Sequence, residues 1–297
     1  MSLEALPRGL REPVEVAYLL ARTADTIADT DAVAAPAREA TLRELLGGVN
    51  SAAAGAAPEA PGGVALLLAR LAALPAADRR DAGDVVARLV GTMRWELAQF
   101  RGGPGEIVAL PDEAALVGYT EGIAGCVGEF WARIVARHAR GTTPHAAWLS
   151  EARRYGRGLQ LVNILRDLPR DLRRGRCFLP RPELAAAGLV PADLLEPAAL
   201  ARLAPILARW ERRARFGLLA GLAYATHLPV WAWRVRVATV LPAALGLPTL
   251  RRVARDPRRL DPGTVVRIGR GEVRRILAAT AFWCAFPAGP ARLARGG

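Results

Sequence analysis

The stretch LQLVNILRDLPRD (Leu159–Asp171) places three oxygen-bearing side chains, Asn163, Asp167 and Asp171, at four-residue steps beside Leu161, Ile164, Leu165 and Leu168. On a helix, residues four apart share a face. The apolar residues therefore predict a buried side, and the polar three a stripe next to it. Two carboxylates on one stripe repel each other unless a cation lies between them, and aspartate is a poor helix former. Pro169 stands between the two aspartates. Inside a helix it removes one hydrogen bond and introduces a kink, which is expected to tilt Asp171 toward whatever the stripe faces.

A matching pair stands in ARTADTIADT (Ala21–Thr30), where Asp25 and Asp29 are four apart. Alone, such a pair reads most simply as a solvated helix face, and Asp31 just beyond leaves a polar helix end open as an alternative. Two pairs in similar surroundings carry more weight. Hard divalent cations take oxygen ligands, and Mg²⁺ typically uses one or two carboxylates together with substrate phosphates. Two such helices facing each other would hold Mg²⁺ over a diphosphate. Arginines flank both pairs, Arg22 before the first and Arg166, Arg170, Arg173, Arg174 and Arg176 around the second. The guanidinium fork suits phosphate oxygens, although for Arg170, Arg173 and Arg174 ordinary surface charge is the simpler reading.

Helical periodicity continues on both sides. Val14, Ala17, Tyr18, Ala21, Ala24 and Ala28 recur at three- and four-residue steps, and Leu42, Leu45 and Leu46 extend the pattern. NSAAAGAAPEAPGG (50–63) predicts a loop, followed by helices over about 64–73 and about 81–100 and a turn at RGGPG (101–105). Asp112 is placed to cap a helix reaching about His138, and Pro144 to open another ending near Asp171. The proline-rich segment 180–205 reads as loop with short helical pieces. Two or three helices then fill 206–285, with breaks expected at Pro229, Pro242, Pro248 and near Pro257. Strand signals are nearly absent. The expectation is an all-α, single-domain chain over 1–297, a size at which one core can still suffice.

Composition narrows the chemistry. All 41 basic residues are arginine, against 28 acidic ones, for a net charge of +13. Without lysine there is no Schiff-base chemistry and no P-loop. Cys126, Cys177 and Cys284 are too few and too scattered for a disulfide framework, and His138, His145 and His227 do not share metal-ligand spacing with them. A reducing cytoplasm fits, and the N-terminal residues lack a signal-peptide core. Phe216–Trp233 carries no charged side chain except what His227 supplies, and Arg234 and Arg236 end it. It reads as a buried helix pair, with contact to a membrane surface as a further expectation. A basic helical protein acting on nucleic acid or anionic lipid is a rival reading, but the arginines are spread along the chain and not gathered in one patch, so no nucleic-acid partner is expected.

At these residues the chain resembles the squalene/phytoene synthase family, the head-to-head trans-prenyltransferases, and looks most like bacterial squalene synthases. The likeness runs from about Leu6 to about Thr249. The first family motif is matched by Tyr18, Arg22, Asp25 and Asp29; the second by Gln160, Asn163, Arg166, Asp167 and Asp171, then Gly175, Arg176, Cys177, Phe178, Leu179 and Pro180. Met93–Leu97 and Tyr119 with Ile123–Gly128 match two further segments. The resemblance implies an isoprenoid-synthase-type helical bundle around a central hydrophobic cavity, acting on prenyl diphosphates. It implies that Asp25, Asp29, Asn163, Asp167 and Asp171 bind Mg²⁺ and diphosphate, that Arg22, Arg166 and Arg176 hold the diphosphates with Phe178 at the substrate, and that Tyr18, Tyr119 and Gln160 stand at the reacting centre. Phe130, Trp131 or Tyr119 would face an allylic cation, although core packing is the simpler role for Phe130 and Trp131.

Departures from the family pattern shape the rest. The sequence begins too late to hold the usual Ser-Arg-Ser-Phe-like segment, so the expectation is either a misassigned start or a truncated form with a weakened diphosphate pocket and lid. Phe178 replaces a tyrosine, Glu96 an aspartate, and Gly122 stands where squalene synthases often carry a tyrosine. The Asp-Thr of Asp25–Thr26 leans toward the squalene-forming branch, which takes two farnesyl diphosphates and, for squalene itself, NADPH. The phytoene branch, using geranylgeranyl diphosphate, remains the alternative. No Gly-x-Gly-x-x-Gly strand–helix unit is present to support NADPH independently. The oligomeric state is not legible.

Overall fold

Helix α1 (Arg8–Asp29) buries Leu10, Val16, Ala17, Leu20 and Ala24 along one side and leaves its aspartates on another. Of the apolar spacing read from the sequence, Ala17 and Ala24 lie in this packing face, Val14, Ala21 and Ala28 are partly buried beside it, and Tyr18 is exposed. The computed structural model describes residues 6–30, 32–56, 62–103, 105–139, 142, 145–261, 263–264 and 266–293. Asp31 and Pro144, singled out above, lie outside the described residues. Helices α2 (Ala35–Ala53), α3 (Gly62–Ala73) and α4 (Ala76–Gln99) pack with α1. Helix α4 is tied to α6 (Cys126–His138) through buried Asp78, which pairs with Arg137 and lies 2.9 Å from His138 Nε2. His138 is thus a partner of a core carboxylate.

Helix α5 (Glu113–Thr120) begins as expected at Asp112, whose side chain accepts from the Ala115 amide at 2.8 Å. It continues through a π-helical turn (Glu121–Gly125) into α6. Helix α7 (Ala146–Arg173) is capped by His145 and runs unbroken through Pro169. It is the spine of the molecule. Its first half sets Trp148 and Ala152 in an apolar cluster with α1–α4 and α6, and its second half sets Leu161, Ile164, Leu165 and Leu168 in another with α9 (Leu200–Thr226) and α10 (Trp233–Arg255). Ile123 packs against both clusters.

Three expectations give way. A short parallel pair forms, β1 (Val108–Leu110) with β2 (Arg176–Pro180), where strand signals are nearly absent. The segment 180–205 holds the short helical pieces expected, α8 (Arg181–Ala186) and two 3-10 turns (Pro191–Leu195 and Pro197–Ala199), but α9 begins already at Leu200 and runs through Pro205. Pro242 and Pro248 do not break α10. Burial of Val235, Val240, Leu241, Ala243, Leu247 and Leu250 against neighbouring helices outweighs the hydrogen bonds that proline forfeits, each such side chain being worth about 1.5–3 kcal/mol. Helices α9 and α10 are the helix pair expected around Phe216–Trp233. The stretch Val230–Arg255 is long and apolar enough to cross a membrane, but 56% of its most apolar window is buried against the protein, the mark of a core helix. Helices α11 (Arg270–Cys284) and α12 (Gly289–Leu293) close the chain against α10 and α9.

Candidate active site

Helix α1 and helix α7 face each other across a cleft of about 240 Å³, lined by Asp25 and Asp29 from the first and by Gln160, Asn163, Asp167, Arg170 and Asp171 from the second. Glu96 of α4, Tyr119 of α5 and Arg176 and Phe178 of β2 complete it, with Ile123 at one edge. The strand pair explains how Arg176 and Phe178 arrive: β2 follows directly on the end of α7 and is held by β1, so the chain doubles back under the acidic stripe.

Five carboxylates line the cleft, Asp25, Asp29, Glu96, Asp167 and Asp171, against three guanidinium groups, Arg170, Arg174 and Arg176. Arg166 grips Asp167 in a fork, Nε to Oδ1 at 2.9 Å and Nη2 to Oδ2 at 2.8 Å. Arg176 Nη1 donates to Glu96 Oε1 at 2.8 Å. Burial pushes the Glu96 carboxyl up; Arg176 and the Tyr119 hydroxyl pull it down, and Asp29 raises it again. Asp171 is raised to about 6, chiefly by burial, with Arg170 opposing and Asp167 adding to the rise. Burial next to Glu96 also raises Tyr119 well above an ordinary phenol, so that it keeps its proton. The Tyr119 and Phe178 rings lie 4.8 Å apart, and Phe178 meets Phe100 edge-on at 4.9 Å.

Beyond Ile123 lies an apolar cavity of about 430 Å³ between α6, α7 and α10. Val127, Trp131, Tyr155, Leu159, Tyr224 and Leu241 are among its walls. Two of its polar side chains are turned into bonds, Trp131 Nε1 donating to Thr239 Oγ1 at 2.9 Å and the Tyr155 hydroxyl to the Thr239 carbonyl at 2.8 Å, whereas the buried Tyr224 hydroxyl has no hydrogen-bond partner among the described residues. Close crossing of α6 and α7 shapes this cavity. A Cβ on Gly156 would stand 2.0 Å from the Ala124 carbonyl oxygen, and one on Gly128 2.1 Å from that of Ala152. Ile123 lines the cleft as well as the cavity, so the two compartments share a wall.

Of the residues chosen from sequence, Asp25, Asp29, Tyr119, Gln160, Asn163, Asp167, Asp171, Arg176 and Phe178 meet in the cleft. Tyr18 is exposed on α1 and stands outside the lining. The Arg22 guanidinium is turned onto Asp25, and that of Arg166 onto Asp167, so both reach the site through their aspartates. Arg170 and Arg174, assigned above to surface charge, are in the lining. Glu96 is a site residue that the sequence motifs do not single out; its signal is an acidic residue on an apolar helix face. Phe130 is core, whereas Trp131 lines the apolar cavity. At Gly122, a Cβ would come within 2.1 Å of Thr92 Oγ1, so a tyrosine there requires Thr92 to move.

Comparison with known proteins matches the same regions. The family model described as squalene/phytoene synthase matches residues 1–272. The presqualene diphosphate synthase of Zymomonas mobilis is 32% identical over 203 residues, 68% of this chain and 62% of that protein. The phytoene synthase of Thermus thermophilus is 35% identical over 133 residues, 45% of this chain and 44% of that protein. The chain thus spans less than two thirds of the length of these relatives. The crystal structure of squalene synthase HpnC from Alicyclobacillus acidocaldarius superposes with a TM-score of 0.64 at 22% identity, covering 85% of this chain and 87% of that one.

Proposed function

Because the chain belongs to the squalene/phytoene synthase family, we propose that it joins two prenyl diphosphates head to head into a cyclopropylcarbinyl diphosphate, two farnesyl diphosphates giving presqualene diphosphate. The observation that carries this reading is the shared wall at Ile123: a charged cleft fit for diphosphate opens beside an apolar compartment fit for a hydrocarbon chain.

The cleft residues fit Mg²⁺. Five carboxylates with Gln160 and Asn163 supply oxygen donors around the cleft, and burial raises the Asp171 carboxyl to about 6, a group that a bound cation would hold ionised. Among the described residues, no three His, Cys, Asp or Glu side chains are drawn close enough to cage a metal. Asp25, Asp29, Asn163, Asp167 and Asp171 would hold Mg²⁺, and when bound it would neutralise the leaving diphosphate.

Arg170, Arg174 and Arg176 place fixed positive charge where the diphosphate departs. The C1–O bond of the first substrate breaks, and its electron pair leaves with the diphosphate. The C2–C3 double bond of the second substrate attacks C1. Loss of one proton closes the cyclopropane, and the released diphosphate accepts it, since Tyr119 is protonated and Glu96 is committed to Arg176. The Tyr119 and Phe178 faces border the cleft, where a cation–π contact is worth roughly 0.5–2 kcal/mol. The apolar cavity keeps water from the cation.

Relatives named phytoene synthase favour a second reading, with geranylgeranyl diphosphate as substrate. Incubation with each diphosphate, with and without Mg²⁺ and NADPH, followed by lipid extraction and mass spectrometry, separates the two. NADPH enters only if squalene is the product. Asp25→Asn and Asp167→Asn should each lower turnover at least about a hundredfold with an unchanged circular dichroism spectrum. Ordinary turnover by either variant, or tight salt-sensitive RNA binding without turnover by the native chain, would overturn the proposal.

A further inference from the structure

From Arg212 to Arg255, and again from Val273 to the end of the chain, there is no aspartate or glutamate, although arginine occurs in both stretches. The fold brings parts of the two together. Arg236, wholly buried one turn inside α10, donates from Nη2 to the carbonyl oxygens of Phe286 at 2.8 Å and Pro287 at 2.7 Å. The end of α11 is thereby clamped beside the start of α10.

At this junction large aromatic side chains face outward. Trp231 is 62% exposed, Trp233 47%, Phe282 58% and Phe286 46%. Phe282, Trp283 and Phe286 form one ring cluster, with centroids 5.1, 5.2 and 6.2 Å apart. Arginines lie over the rings: Arg234 is 5.6 Å from the Trp233 centroid, and Arg292 is 5.2 Å from that of Trp283. Single exposed apolar residues are ordinary, but a contiguous aromatic group is not. Tryptophan and phenylalanine beside arginine, with no carboxylate on either stretch, are what a peripheral contact with an anionic bilayer requires: rings at headgroup depth and cations among the phosphates.

We propose that the α10 start and the α11 end, through Trp231, Trp233, Phe282 and Phe286 with Arg234 and Arg292, form a docking surface for a bilayer containing anionic lipid. Charge complementarity selects this occupant. Continuity with the interior supports it: α10, which begins at Trp233, also supplies Ala238, Thr239, Leu241 and Pro242 to the apolar cavity. A hydrocarbon product would thus be made one or two helical turns from the membrane. That last point rests on the proposed function; the docking surface does not.

The test is co-sedimentation of the full chain with vesicles of phosphatidylcholine alone and with phosphatidylglycerol added. The native chain should sediment with the anionic vesicles, and salt should reduce the bound fraction. The variant Trp231→Ser, Trp233→Ser, Phe282→Ser, Phe286→Ser should partition at least tenfold more weakly. Single Trp231→Ser, at the most exposed of these sites, guards against misfolding and should weaken partitioning at least twofold with an unchanged melting curve. Brominated lipid should quench the native tryptophan emission. Equal partitioning of native and variant chains, or no partitioning of the native chain, would overturn the proposal. So would a lipid-free dimer that the fourfold variant abolishes, because a second copy would then cover the patch. Turnover of prenyl diphosphate in detergent is measured separately, so failure of docking and failure of the proposed reaction are told apart.

Discussion

Replacing Glu129 with glutamine should cost the protein about 2–3 kcal/mol at pH 7. Glu129 sits nearly buried on α6, where Arg88 of α4, Arg133 of α6 and Arg153 of α7 converge, at 3.4, 2.7 and 2.8 Å. Arg153 first, and Arg133 after burial is overcome, hold its carboxyl down from an ordinary 4.5 to about 2. That displacement corresponds to roughly 3 kcal/mol of stabilisation by the ionised form. The arginine partners are about half exposed, so solvent screens part of it. The folded value is depressed, so the stabilisation is full above about 4.5 and is lost as pH falls toward 2. Urea titrations at pH 7 and pH 3 measure it, with a melting shift of roughly 5–10 °C expected at neutral pH. A difference under about 0.5 kcal/mol at pH 7, or one that fails to shrink at pH 3, would refute the reasoning. Because α6 and α7 enclose the apolar cavity, the same loss should loosen its walls.

Asp171 carries the opposite sign. Its folded value of about 6 lies above an ordinary 3.8, so substrate-free Asp171→Asn should be more stable than the native chain above pH 6, by up to about 3 kcal/mol, with the gap closing below pH 4; parallel thermal melts across pH check it. Arg176→Leu strands Glu96 in a buried position and should cost about 3–5 kcal/mol, while the double variant with Glu96→Gln recovers most of that by urea titration but not turnover. Gly156→Ala drives a methyl into the Ala124 carbonyl and should cost about 1–3 kcal/mol by thermal melting, with a loss of turnover as α6 and α7 separate.

Much of the site was legible because its residues obey helical spacing. Asp25 and Asp29, and Asn163, Asp167 and Asp171, sit where four-residue steps put them, and on α7 the apolar neighbours Leu161, Ile164, Leu165 and Leu168 that predicted the buried face are buried. What escaped depended on contacts distant in sequence. Val108–Leu110 is too short to announce a strand; it forms because Arg176–Pro180 is delivered beside it by the end of α7. Arg174 reads as surface charge until that turn brings it over the acidic stripe. Prolines 205, 242 and 248 carry a local helix-breaking signal that tertiary packing overrides. Tyr18 shows the reverse: its spacing matches the motif, yet its ring is left in solvent.

The π-helical turn at Glu121–Gly125 has a consequence for how this chain can change. A π turn takes in one residue more than an α turn, and each residue rotates a helix by about 100°. Everything downstream on α6 is therefore phased by that one residue. Point substitutions between Glu121 and Gly125 alter local shape, but deleting a single residue there would swing Gly128 away from Ala152 and carry Glu129 off Arg88 and Arg153 together, leaving it only Arg133 of its own helix. Variation in this rod is therefore constrained more by its length than by its lettering.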